Sequence, residues 1–278
     1  MTRRYLRMTL NERMQHINLF INFTILVITG FALKYPEAFW TSPMTDVPKG
    51  MVFRGLFHRL SGVAIIILGG YHLFYLLLTK RGRGILWDMV PTLKDGSDLW
   101  DTLKNNLFLN RPAKAIQMDR FSFREKFEYL GMIWGTVVMT VTGLILWFKT
   151  EWLMFFPLWT FDVARAIHFY EAILATLTIL VWHFYAVVFN PDVYPMNWAW
   201  ITGMMTEHEM RLEHGLELER LTSGHQEELS GFREPAAAGG GCVHPLDPKA
   251  ERNTFSIQRV YNTVRDVNRK IREWKGGP

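Results

Sequence analysis

Residues 58–72, HRLSGVAIIILGGYH, and residues 168–183, HFYEAILATLTILVWH, each carry a histidine at both ends of an apolar run. At about 100° and 1.5 Å per residue, a helix falls about 40° short of whole turns after 14 residues and about 60° past them after 15. His58 with His72, and His168 with His183, therefore keep roughly one helix face while lying about 21–23 Å apart along the axis. Two such helices side by side present opposed imidazoles at two depths. Neutral imidazole is a good ligand for haem iron, and two axial imidazoles fill both open positions, which favours electron transfer over oxygen chemistry. A single histidine on an apolar face is more often a hydrogen-bonded core residue or a helix-end residue. Four in register, where ionisable groups are costly and usually functional, point to two b-type haems.

The bilayer interior, about 30 Å thick, needs roughly 20 apolar residues per crossing. Four runs qualify: Ile17 to Leu33, Leu60 to Thr79, Tyr129 to Phe148, and Ala172 to Phe189 extended upstream through His168. The expected fold is an all-α integral membrane four-helix bundle over residues 1–195. Residues 196–278 form a tail with two amphipathic helices, Met204 to Leu221 and Phe255 to Trp274, joined by a glycine-rich linker. Asp98 to Leu109, in the long loop, reads as a further short amphipathic helix. No small-residue cleavage site follows the first apolar run.

Arg3, Arg4, Arg7 and Arg13 precede the first run, and ten basic residues lie between Lys80 and Lys126. The opposite connections hold four, from Lys34 to Arg59, and two, Lys149 and Arg165. Positive residues stay in the cytoplasm, which predicts a multi-pass protein of a bacterial-type inner membrane with both termini cytoplasmic. The second and fourth helices then run parallel, with His58 and His168 near the outer surface and His72 and His183 near the inner one. The net charge of +5 is a topology signal, and no nucleic-acid motif accompanies it.

The single cysteine, Cys242, excludes an internal disulfide and a C-x-x-C-H haem attachment, and with His244 it lies in the linker. Arg54, Arg59 and Arg165 at the outer level, and Arg13, Lys80 and Arg81 at the inner, are candidates for haem propionates and equally for snorkelling helix ends. Quinone chemistry needs a proton donor or acceptor near a haem, for which Glu171, His16, Glu128 and Asp192 are candidates. Glu171 could equally pair with Arg165.

The first run, Arg13-Met-Gln-His16 through Thr29-Gly30-Phe31, resembles the opening helix of the b-type cytochrome subunits of formate dehydrogenases and nickel–iron hydrogenases. The histidine-bearing second and fourth runs are also similar to the haem bundle of cytochrome bc-type complexes. The resemblance covers about residues 10–195. It implies a subunit passing electrons between a quinone pool and a redox partner such as a multihaem cytochrome or an iron–sulfur protein. The two groups differ at the inner haem. The first takes one ligand from the first helix, which here is His16; the second takes two histidines from each of two helices. The matched spacings favour His72 with His183, leaving His16 to a quinone, a propionate or the helix start. The alternatives are a self-contained transmembrane b-type reductase and a haem-free anchor or transporter whose histidines bind metal or protons.

Overall fold

The computed structural model describes residues 3–107, 116–190 and 193–231. Asp192, Cys242, His244 and the helix expected over Phe255 to Trp274 lie outside the described residues. Four long helices form the body: a first span Leu10–Lys34, a second Gly50–Leu78, a third Phe123–Trp147 and a fourth Leu158–Phe189. The fourth is α-helical through Leu177 and then π-helical over Thr178–His183 and Tyr185–Phe189. This is an all-α integral membrane bundle.

Local sequence explains where the spans begin. Thr9 caps the first span, accepting from the Glu12 N–H while Glu12 accepts from the Thr9 N–H at 2.7 Å. Ser122 and Glu125 form the same reciprocal cap on the third span. Such caps are worth about 1 kcal/mol each, and they satisfy N–H groups that the start of a helix leaves unpaired. The fourth span follows Pro157, whose fixed φ suits a helix start.

The spans turn apolar side chains outward. Ile67, Phe74, Trp134 and Val181 are each roughly two-thirds exposed. Water would penalise such a surface by about 1.5–3 kcal/mol per large side chain, whereas hydrocarbon solvates it. The first span packs on the second and the third on the fourth, forming two hairpins that meet mainly through the second and third spans. At one end Phe31 and Tyr35 of the first span contact Phe169 of the fourth, and the Lys34 ammonium lies 5.0 Å from the Phe169 ring centre.

A small polar cap closes the other end. Strand β1, Arg4–Leu6, pairs antiparallel with β2, Met204–Thr206, so the N-terminal arm and the chain beyond the fourth span lie on the same side. Met205, Met210, Leu218 and Ala199 form its core, with Tyr5 packed against it. The single helix expected over Met204 to Leu221 is instead β2 followed by helices Glu207–Glu213 and Gly215–Gly231. Pairing with Arg4–Leu6 draws the first three residues into a strand, and a Thr206–Glu209 capping box starts the helix after it. The loop helix runs over Leu93–Leu107.

Charge pairs hold this end of the molecule together. Arg7 bridges Glu125 and Glu217, each at 3.1 Å, Arg81 holds both carboxylate oxygens of Glu12 at 2.7 and 3.0 Å, and Lys126 meets Asp95 at 2.8 Å. Burial, with Glu125 nearby, pushes the Glu213 carboxyl up to about 7 from 4.5, and burial pulls His214 down to about 4 from 6.5. The two oppose each other. Glu213 contributes stability that is full below pH 4.5 and lost as pH rises through about 7, whereas His214 contributes above 6.5 and loses as pH falls through about 4. Glu213→Gln is therefore expected to stabilise the cap at pH 8, by up to roughly 3 kcal/mol, with the gain vanishing at acid pH. Hydrogen-exchange protection of the Met204–Leu218 amides checks this, and equal protection of parent and variant at pH 8 would refute it.

Candidate functional site

The histidines meet at the seam between the hairpins. At the end away from the cap, the rings of His58 and His168 lie 6.4 Å apart, centre to centre, at 65°. Two imidazoles bound to one metal through bonds of about 2 Å put their ring centres about 6 Å apart, so the separation suits an iron between them. Each ring is aimed by a threonine. Thr29 Oγ1 gives its proton to the Ile25 carbonyl at 2.5 Å, and Thr142 Oγ1 gives its own to the Val138 carbonyl at 2.7 Å. Both hydroxyls are then left to accept from the His58 and His168 Nδ1–H groups, each at 2.9 Å. That fixes the tautomer and turns the Nε2 lone pair of each ring towards the seam. Gly30 and Gly143 make room: a Cβ on either would lie 3.3 Å from Cε1 of His58 or His168.

Near the cap the partners differ from those expected from spacing. His183 faces His16, with ring centres 6.3 Å apart, rather than being matched with His72. The His183 Nδ1–H donates to Glu128 Oε2 at 3.1 Å, again leaving Nε2 available. His16 Nδ1 is buried without a hydrogen-bond partner, and Trp200 of the cap lies against the ring at 5.8 Å. Both nitrogens of His72 are committed: Nδ1 donates to Gln15 Oε1 at 2.7 Å and Nε2 accepts from Tyr129 Oη at 2.8 Å.

The π-helical stretch explains the unequal spacings. One more residue separates His168 from His183 than separates His58 from His72. A π-turn takes up an extra residue, so the bulge ending at His183 compensates the longer spacing.

The two hairpins also repeat each other. Thr9, Glu12, Gln15, His16, Thr29 and Gly30 of the first half correspond to Ser122, Glu125, Glu128, Tyr129, Thr142 and Gly143 of the second, every pair 113 positions apart. Gln15 holds His72 as Glu128 holds His183, and Tyr129 faces His72 as His16 faces His183. Reading histidine spacings alone misses the roles of Thr29, Thr142, Gln15, Tyr129 and Trp200. Aligning the two halves would have shown all of them except Trp200.

The cationic candidates divide. Arg54, one turn before His58, donates from Nη1 to the Thr29 carbonyl at 2.8 Å and leaves Nε buried without a partner. Arg13, one turn before His16, donates to the Ile201 carbonyl at 2.5 Å and likewise leaves Nε unpaired. Arg59, expected near a propionate, lies over Trp147 at 5.3 Å, and Arg165 pairs with Asp162 at 2.9 Å on an exposed surface. Both find partners on the bundle exterior. Glu171 turns towards the third span, where a Cβ on Gly135 would come within 2.9 Å of its Oε1, and Arg165, its alternative partner, pairs with Asp162 instead. Paired imidazoles with free Nε2 atoms and unpaired buried guanidinium donors at both levels suit haem, which needs axial nitrogen and cationic partners for its propionates.

Such a bundle, with imidazoles paired across its seam, is that of a membrane b-type cytochrome. The prokaryotic cytochrome b561 family model matches residues 7–198, and the chain belongs to that family. It is thus a multi-pass membrane protein that binds b-type haem and takes part in electron transfer. The chain matches no curated protein at a significant level.

Proposed function

We propose that this chain is a two-haem cytochrome subunit carrying electrons across the bilayer between the quinone pool and a separate redox protein. His58 and His168 hold one haem and His16 and His183 the other, with Arg54 and Arg13 meeting their propionates. When bound, the two haems supply one-electron carriers at two depths. The chain's own residues set ligand tautomer, orientation and charge. The observation that carries the reading is the near-identical separation of two imidazole pairs, 6.4 and 6.3 Å, at opposite ends of the seam.

The concentration of lysine and arginine in the N-terminal arm and the Lys80–Lys126 loop supports a cytoplasmic cap, with His58 and His168 towards the outside. The Tyr129 hydroxyl, hydrogen-bonded to His72, is a neutral proton carrier that would serve a quinone head group by giving up that bond. A partner of multihaem or iron–sulfur type fits a chain whose sequence carries no C-x-x-C-H haem attachment.

A pyridine haemochrome assay on the purified protein tests the reading. Two b-type haems per chain, both reduced by a short-chain quinol, are expected. A haem-free protein would leave the anchor or transporter reading. Haems that a quinol does not reduce would remove the quinone-pool assignment alone.

A further inference from the structure

The two imidazole pairs are similar in geometry but not in charge. His58 and His168 each donate to a threonine hydroxyl, a neutral acceptor whose own proton goes to a backbone carbonyl. His183 donates to a carboxyl group: Glu128 Oε2 lies 3.1 Å from its Nδ1, and Glu128 Oε1 is buried without a partner. The repeat supplies an internal comparison, because the residue equivalent to Glu128 is Gln15, a neutral amide of the same length on His72. Charge is thus added at one ligand position. Arg13 and Arg54, each with an unpaired Nε, place comparable positive charge at either level and do not distinguish them.

Resting on the two-haem reading, we propose that Glu128 is a positioning residue that gives the haem held by His16 and His183 the lower potential of the two. A carboxylate accepting the Nδ1–H of a ligating imidazole makes the ring more basic and places negative charge near the iron. Both effects favour the ferric over the ferrous state. Neutral threonine acceptors give the outer pair no such bias. With haem bound at both sites, one electron would move downhill from the inner iron, oxidised in that transfer, to the outer iron, reduced in it. The inner ligand set carries outward transfer, and the quinone class of donor acts at the capped side.

The test is a potentiometric titration of the haem-loaded protein in detergent, followed optically and by the low-spin ferric EPR signals, for the parent, His16→Ala and Glu128→Gln. Two midpoints are expected in the parent, the lower one missing in His16→Ala. In Glu128→Gln, which copies the Gln15 arrangement, both haems remain; the lower midpoint rises towards an unchanged upper one, and only the corresponding EPR signal shifts. If the component lost with His16 is the upper one, or if Glu128→Gln keeps both parental midpoints, the proposal is overturned while the two-haem reading stands. Should Glu128→Gln shed haem, the order of the parental midpoints still decides, and Glu128→Asp, which keeps the charge, must retain the lower value. A parent with one haem or none overturns the two-haem reading itself.

Discussion

His16→Ala protein is expected to hold one haem per chain where the parent holds two, and His72→Ala protein is expected to hold both. The contrast follows from hydrogen bonding. His16 Nδ1 has no protein partner and its ring stands 6.3 Å from that of His183, so the residue is poised for a ligand and for little else. Loss of an axial ligand should reduce haem affinity at that site by more than the roughly 10–100-fold that loss of an outer partner costs. His72 spends both nitrogens on Gln15 and Tyr129, so removing it leaves Tyr129 Oη unpaired without touching the imidazoles that face each other. Haem content per chain by pyridine haemochrome decides the matter. The reverse result, with haem lost on removing His72 and kept on removing His16, would return the inner site to the arrangement suggested by spacing alone.

The second large effect is steric. Gly143→Val should empty the outer site, and Gly131→Val on the same helix should not. A Cβ on Gly143 would lie 3.3 Å from His168 Cε1, and the two further methyls of valine have to push the ring off the bond with Thr142. Overpacking of this kind costs about 1–3 kcal/mol, or about 5- to 150-fold in haem affinity. Nothing lies within 4 Å of a Cβ on Gly131, which makes that variant a control for helix propensity and lipid packing. Optical spectra of the reduced protein, read with His58→Ala as the reference for an empty outer site, measure the outcome. Full occupancy in Gly143→Val would show that the glycine serves helix packing alone.

The spans were legible because a bilayer imposes a one-dimensional rule. A chain must stay apolar for about 20 residues to cross, and a histidine inside such a run stands out against it. The depth of each histidine followed from helix rise, so the outer pairing of His58 with His168 could be anticipated from residues 58–72 and 168–183. The inner pairing could not. It depends on a π-helical stretch that rotates His183, and on hairpin packing that sets His16 opposite it while Gln15 and Tyr129 bind His72. The propionate candidates were limited in the same way, since Arg13, Arg54, Arg59 and Arg165 all stand near span ends. Only the contacts show that two of them keep an unpaired nitrogen while the others lie over Trp147 or beside Asp162.

The cap marks the same boundary between local and distant information. The Thr206–Glu209 box is a local signal and starts a helix as such signals do. The strand before it exists only because Arg4–Leu6, nearly 200 residues earlier, pairs with it, and three-residue strands carry no periodicity of their own. By itself the sequence determined a four-span helical membrane protein with imidazoles at two depths, because hydrophobicity and helix rise act along the chain. The tertiary structure decided which imidazoles face each other, which arginines remain unpaired and which single ligand is held by a carboxyl group. Those are set largely by contacts between helices, within a hairpin as for Glu128 with His183 and across the seam as for His16 with His183, and no property of one segment alone specifies them.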